Sequence, residues 1–286
     1  MKVLIMPNLS RKSACPCTEK AIHKLHVLGA EVLLQEKLRP YFDKEERAVF
    51  LPLAQALKEC DFVVAIGGDG TILHTAKHAM QENKPVFGIN VGRLGFLAEL
   101  EVNELDRLED LAAGRYTIER RMMLKVTHRR GDSAEVFYAL NDAVISKGVL
   151  AKIVDLDVIC DGRRLASYRA DGIIFATPTG STAYSLSAGG PVIDPQIDCI
   201  SMTPICSHSL MGRSIIFSDD RHLLVTARMD EEHAAYLSID GEDGRHIEAD
   251  DRVEIEKSDI FVQFVKLTEK PFFEILNEKI MDKMSD

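Results

Sequence analysis

The chain has 286 residues, 46% of them hydrophobic and 28% charged, a balance that suits one large globular domain or two modest ones and excludes collagen, coiled-coil and wholly disordered chains. No apolar run approaches the roughly 18 residues of a membrane span, and the opening MKVLIMPNLS reads as a first buried strand rather than a secretion signal. The net charge of −10, with fourteen acids against five bases between residues 219 and 259, excludes a general electrostatic grip on nucleic acid. An anion must then be held by local backbone amides and a few cations.

The first 115 residues alternate strand and helix signals. Val3–Met6 is a short apolar strand, and Thr18 is placed to cap a helix whose stripe is Ile22, Leu25 and Leu28, closed by Gly29. Val32–Leu34 is a second strand. Asp61–Ile66 is a third, nearly all apolar, as a strand buried on both faces should be. Ile72, Leu73, Ala76, Ala79 and Met80 then share one helix face. Pro85–Val91 is a fourth strand, and Asn103 opens a short helix with Leu105, Leu108 and Leu111 inward, ended by Gly114. Strands separated by helices predict a parallel sheet of βα units.

After residue 118 the pattern changes. Met123–His128, Val136–Ser146, Ile153–Cys160, Ile173–Thr177, Ile215–Phe217, Leu223–Ala227, Tyr236–Ile239 and Val253–Glu256 are strand-like. Arg130-Gly131-Asp132, Asp161-Gly162, Asp240-Gly241 and Asp243-Gly244 punctuate them as turns. The fold expected is therefore an N-terminal parallel-sheet α/β domain, residues 1–118, followed by a mostly antiparallel β-rich domain, 119–268. A helical tail, 269–286, returns to the first domain. Six cysteines are present, at 15, 17, 60, 160, 199 and 206, with no CxxC pair. Zinc is poorly supported, and reduced thiols in a cytoplasmic protein are expected.

The strongest local feature is Gly67-Gly68-Asp69-Gly70-Thr71, between the Asp61–Ile66 strand and the Ile72 helix. Ligands of open α/β sheets bind at such a strand end. Glycines let the backbone approach a phosphate, and the helix start offers unpaired N–H groups and a positive dipole end. The bland alternative is a tight turn rich in glycine for steric reasons. Asp69 is the odd member: a carboxylate beside a phosphate asks for a metal ion or a proton to accept. No Gly-Lys dipeptide exists, so there is no Walker A loop, and Gly88–Gly95 has the wrong spacing for G-x-G-x-x-G.

The second feature is Arg169-Ala170-Asp171-Gly172, a strand, and then Pro178–Gly190, which packs five small hydroxyl residues, three glycines and Tyr184 into thirteen positions. Such a loop suits a ribose, a phosphate or a nucleobase, or is a surface loop with turn chemistry. The third is Asn141-Asp142 within the apolar run FYALNDAVIS. Buried polar residues there need partners: an adenine edge for the Asn and a ribose hydroxyl for the Asp, or else a bulge or strand end. Lesser candidates are Lys152 and His74, which stands i, i+4 from His78 with no further metal ligand evident. Cys199 and Cys206 stand two residues before Ser201 and His208, but nothing in the sequence activates a thiol there.

Together Gly67–Thr71, the Gly88–Phe96 run, Asn141-Asp142, Ala170–Pro191 and Thr203–Leu210 resemble the NAD kinase family over most of the chain. The resemblance implies transfer of the ATP γ-phosphate to the 2′-hydroxyl of the adenosine ribose of NAD, with a divalent metal, usually Mg²⁺, in a homodimer or homotetramer. It implies Asp69 as the proton acceptor. It implies NAD contacts at Gly70, His74, Asn141, Asp142, Lys152, Arg169, Asp171, Thr182, Ala183, Tyr184, Ser185, Leu186 and Ser187. The ATP phosphates would lie on Gly67, Gly68, Gly70 and Thr71. Three positions depart from the family pattern: Asp142 where Glu is frequent, His74 where Arg is common, and Glu242 where a Gln often contacts NAD. The alternatives are a lipid or sugar kinase sharing the GGDGT turn, or a non-enzymatic NAD(P) sensor.

Overall fold

The computed structural model describes residues 1–92, 95–148, 153–208, 212–228, 234–242, 244–268 and 270–284, and divides the chain into two compact units. Unit 1 comprises Met1–Arg120 and Val262–Asp286, and unit 2 Arg121–Phe261. Parts of the sequence reading fell on Arg93, Leu94, Lys152, Ser209, Leu210 and Asp243, which lie outside the described residues. Among the described residues no helix is long and apolar enough to cross a membrane.

Unit 1 is the α/β half. Its elements run β1 (Lys2–Pro7), α1 (Ala14–Val27), β2 (Glu31–Gln35), β3 (Ala48–Leu51), α2 (Leu53–Glu59), β4 (Phe62–Gly67), α3 (Asp69–Gln81), β5 (Val86–Asn90), β6 (Ala98–Glu101) and α4 (Leu108–Ala112). The strands pair in the order β3-β2-β1-β4-β5, all parallel, and β6 runs parallel to β5. All of β4 is buried, which is why its sequence is an unbroken apolar run. Val3, Ile5, Ile22, Leu34, Val64, Ile66, Phe87 and Ile89 form the core around it.

Two local expectations change, and two short elements went unread. Helix α1 starts at Ala14 rather than after Thr18, because Pro16 falls in its first turn, where a missing N–H leaves no helical bond unmade. Thr18 is buried inside the helix and donates from Oγ1 to the Ala14 carbonyl at 2.7 Å. Asn103 opens no helix: a 3₁₀ turn spans Val102–Arg107, and Glu104 reaches back to accept from the Glu101 amide at 2.9 Å. β3 and α2 carried too little periodicity to be read.

Unit 2 is antiparallel. It contains β7 (Thr117–Arg130, from Arg121), β8 (Ser133–Ala139), β9 (Asp142–Lys147), β10 (Val154–Cys160), β11 (Arg163–Ala170), β12 (Gly172–Ala176), α5 (Tyr184–Ser187), β13 (Cys199–Ile205), β14 (Ile215–Ser218), β15 (Leu223–Arg228), β16 (Ala235–Ile239), β17 (Arg245–Ile247) and the start of β18 (Arg252–Lys266). One sheet has the order β14-β13-β12-β9-β16-β17. Elsewhere β15 pairs with β10 and β18, β10 with β11, and β7 with β8. Ile145, Leu156, Tyr168, Phe175, Met202, Val225 and Leu237 lie in the shared core.

The run Val136–Ser146, expected as one strand, is two: it breaks at Leu140-Asn141, and β8 and β9 belong to different sheets. The second boundary also differs from the sequence reading. Unit 2 closes at Phe261, inside β18, because Phe264 already pairs in parallel with Val86 of β5. Helix α6 (Phe272–Met284) belongs to unit 1, where the Phe272 ring meets Phe96 at 6.3 Å.

An ion cluster around the buried Asp251 carboxylate ties down the β7 end of unit 2. Asp251, 2% exposed, lies 2.8 Å from His128 Nε2 and accepts from Arg130 and from the Glu248 amide, both also at 2.8 Å. Burial pushes its pKa up, but the Arg130, Glu248 and His128 hydrogen bonds outweigh it and leave it at about 2. A carboxylate depressed in the folded state stabilises it above the ordinary carboxylate pKa, and that contribution disappears as pH falls toward 2. Urea unfolding of wild type and Asp251→Asn should therefore differ most at pH 5 and above. The gap should narrow by about 2 kcal/mol as pH drops toward 2. A pH-independent gap would mean that the carboxylate charge contributes nothing.

Candidate functional site

In unit 1 the Gly67–Thr71 turn lies where the sequence placed it, joining β4 to α3. Helix α3 begins at Asp69 with Gly68 as its N-cap and no side-chain cap, and the Thr71 and Ile72 amides turn back to the Gly68 carbonyl at 2.9 and 3.1 Å. A Cβ at Gly67 would run into the Thr71 side chain, which is a packing reason for that glycine. Gly68 and Gly70 have no such reason: a Cβ on either meets nothing within 4 Å, and Gly68 sits at φ −103°. Bare backbone beside open space at a helix start is the local chemistry of a phosphate cradle. Thr71 Oγ1 accepts from Asn8 Nδ2 at 3.0 Å, so the loop after β1 fixes the turn from one side.

Asp69 faces the loop before β6. Its Oδ2 accepts from the Phe96 amide at 2.8 Å and its Oδ1 from the Leu97 amide at 3.2 Å. A Cβ at Gly95 would collide with this carboxylate, so the acid's position requires glycine there. His74 is exposed one turn along α3, its ring 4.7 Å from that of His78. Burial lowers the His78 pKa, and His74 and Lys37 lower it further. Among the described residues no group of three or more His, Cys, Asp or Glu side chains is arranged to hold a metal ion.

In unit 2 a cavity of about 390 Å³ is lined by Asn141, Asp142, Val144, Ser146, Ala183, Tyr184, Ser238, Asp240 and Gly241. Ligand pockets typically run from roughly 300 to 1,000 Å³. Asp142 begins β9 and is only 4% exposed, whereas Tyr184 is 47% exposed at the cavity rim. The Asn141 carbonyl accepts from the Thr177 amide at 2.9 Å, and a Cβ at Gly180 would strike the Asn141 backbone. The Pro178–Gly190 loop is thereby packed against the Asn141-Asp142 corner.

Four of that loop's five small hydroxyl residues already have partners within the protein. Ser181 donates to the Pro178 carbonyl at 2.6 Å and accepts from the Ile193 amide at 3.0 Å. Thr182 donates to the Thr179 carbonyl at 3.1 Å, and Ser185, buried, bonds Thr203 at 3.2 Å. Thr179 accepts from Arg121 at 3.2 Å. Of the loop's candidate residues, Ala183 and Tyr184 line the cavity, whereas Thr182, Ser185, Leu186 and Ser187 do not, Ser185 being buried and Ser187 exposed. Arg169 is exposed on β11, and Asp171 pairs with Lys147 at 2.9 Å; neither lines the cavity. Ser146, Ser238 and Asp240 line it and were missed. Their signal was weak: two serines in strands, and an Asp-Gly pair read as a turn and nothing more.

Comparison with known proteins adds to this geometry. Residues 3–116 match the family profile described as the ATP-NAD kinase N-terminal domain, and residues 140–267 match the ATP-NAD kinase C-terminal domain. An NAD kinase of Citrifermentans bemidjiense is 34% identical over 98% of each chain. One of Geotalea daltonii is 41% identical over 78% of this chain and 79% of its own. The structure of yeast NADH kinase complexed with NADH superposes with a TM-score of 0.89 at 28% identity, covering 97% of this chain and 86% of that one. An NAD kinase from Archaeoglobus fulgidus in complex with ATP superposes at 0.73 with 26% identity, covering 98% and 99%.

Proposed function

The chain belongs to the NAD kinase family, and we propose that it makes NADP from NAD with ATP by dividing the work between the Gly67–Thr71 turn of unit 1 and the Asn141–Tyr184 cavity of unit 2. NAD and ATP are its ligands and ATP its phosphoryl donor. The observation that carries the division is the pair of glycines, Gly68 and Gly70, facing open space at an uncapped helix start.

Phosphoryl transfer needs little covalent work from a protein; positioning and charge stabilisation dominate. The amides of Gly68 and Gly70 bind the ATP phosphates, with the Thr71 side chain beside them. Asp142 accepts from ribose hydroxyls of NAD, Asn141 pairs with a base edge, and Tyr184 lends a ring face. The 2′-oxygen bonds the γ-phosphorus as the bond to the β-phosphate oxygen breaks, and Asp69 orients the 2′-hydroxyl and takes its proton. Mg²⁺ is commonly held by substrate phosphates with one or two carboxylates rather than by a protein cage. A chain in which the described residues build no such cage fits a metal that arrives on ATP and neutralises phosphate charge. His74, Lys152, Arg169 and Asp171 remain candidate NAD contacts by resemblance. A cytoplasmic homodimer or homotetramer is the expected setting, and light scattering on purified protein tests the assembly.

The test of the whole reading is a coupled assay. Purified chain, NAD, ATP and Mg²⁺ should yield NADP detected by an NADP-specific dehydrogenase; no NADP would overturn the reading. The division of labour has its own test. Tyr184→Ala should raise KM for NAD by roughly 2–13-fold, the worth of one aromatic contact, and leave KM for ATP nearly unchanged. An equal rise for ATP would remove the NAD-selective role of Tyr184, and a larger one would exchange the two assignments.

A further inference from the structure

We infer that Asp240 is the positioning residue of the unit 2 cavity: its carboxylate holds the Leu140–Asp142 corner in the conformation that presents Asn141 and Asp142 to NAD. The inference rests on reading that cavity as the NAD site.

Three consecutive amides converge on this one side chain. Asp240 Oδ1 accepts from Asn141 N at 2.7 Å and from Asp142 N at 2.9 Å, and Oδ2 accepts from Leu140 N at 3.0 Å. The Asp240 amide donates back to the Asp142 carbonyl at 2.9 Å, closing the junction in both directions. Asp240 has a φ of +52° and Gly241 one of +74°, and the Glu242 amide closes the turn on the Ile239 carbonyl at 3.0 Å. Asp and Asn tolerate this left-handed region better than other side chains. The tight turn therefore aims a carboxylate, and not only a backbone, at the corner. At that corner the chain leaves β8 and enters β9 of another sheet, and neither sheet's pairing covers Leu140 or Asn141. A charged acceptor on these amides supplies the pairing that the two sheets do not. Asp240 also lines the cavity beside Asn141 and Asp142, so any slackening there is felt at the ligand.

The atoms predict a graded series. Asp240→Asn keeps the left-handed backbone and, through its carbonyl, the bonds to Asn141 N and Asp142 N, but turns an NH₂ toward Leu140 N. Asp240→Ala removes all three. KM for NAD should rise in the order wild type, Asn, Ala, reaching roughly 2–13-fold for Ala, the net worth of one lost hydrogen bond at the ligand. KM for ATP should stay nearly constant. Amide exchange at residues 140–142 should accelerate in the same order, a readout that needs no substrate. Should Ala fail to fold, the Asn variant carries both measurements. Unchanged exchange at 140–142, or an equal rise in both KM values, would overturn the proposal. Asp142→Asn measured alongside keeps the two ideas apart. If it too leaves NAD binding unchanged, the cavity reading has failed; if it weakens NAD while the Asp240 series does not, only the positioning role falls.

Discussion

Asp142→Asn should weaken NAD binding by roughly 10–150-fold while ATP binding holds. The substitution preserves volume and deletes the charge, and a hydrogen bond to a charged group contributes about 1.5–3 kcal/mol. Burial raises the stakes: at 4% exposure little water can replace a lost partner of the carboxylate. Its backbone is anchored at both ends of the peptide unit, the amide to Asp240 and the carbonyl to the Asp240 amide. The new side chain therefore replaces the old one without moving the strand, and the fold should survive with a modest change in Tm. Glu is frequent at this position in the family, so Asp142→Glu is the informative companion. A site tuned to the shorter acid loses affinity with Glu as well, whereas one that tolerates either reach does not. Calorimetry on all three proteins separates these outcomes, and unchanged NAD affinity in Asp142→Asn would remove the residue from the site.

What was legible in the sequence was local. The apolar run Asp61–Ile66 followed by glycines announces a buried parallel strand and its turn, because burial on both faces and close backbone approach each leave a mark within a few residues. The antiparallel half shows itself the same way, through Asp161-Gly162 and Asp240-Gly241, where positive φ demands particular residues. What was not legible depends on chain closure over long distances. The partners of the Asp240 carboxylate lie 98 to 100 residues earlier, and nothing in an Asp-Gly pair distinguishes a turn that only turns from one that clamps a remote corner. The same limit explains the hydroxyl-rich loop. Ser181, Thr182 and Ser185 look like donors waiting for a ligand, yet a tight 3₁₀ turn and short helix need those hydroxyls to satisfy their own backbone and Thr203. The break at Leu140-Asn141 was hidden because the residues on either side keep strand-like composition.

Asp69→Asn should have the largest effect: kcat lower by about 10²–10⁴-fold, the usual loss when a general base is removed, with NAD affinity little changed. The geometry adds a complication that the experiment must meet. Both carboxylate oxygens accept amides of the Phe96-Leu97 segment, so Asn turns an NH₂ toward one of two N–H groups. A group left unsatisfied costs about 1–3 kcal/mol when buried, and the loop before β6 should loosen. Rate loss through a displaced loop and rate loss through a missing base can be told apart with Gly95→Ala. A Cβ there would displace the Asp69 carboxylate while leaving the acid chemically intact. If placement of an intact acid is what matters, Gly95→Ala lowers kcat as well, though less than Asp69→Asn. If Asp69 serves only as a clamp, the two variants lose loop stability in proportion to any loss of rate, and kcat in Asp69→Asn stays near normal. Titrating Mg²⁺ or Mn²⁺ against Asp69→Asn divides the two chemical roles. Partial rescue at high metal assigns the carboxylate to metal placement; a kcat that stays low at every metal concentration assigns it to the 2′-hydroxyl proton.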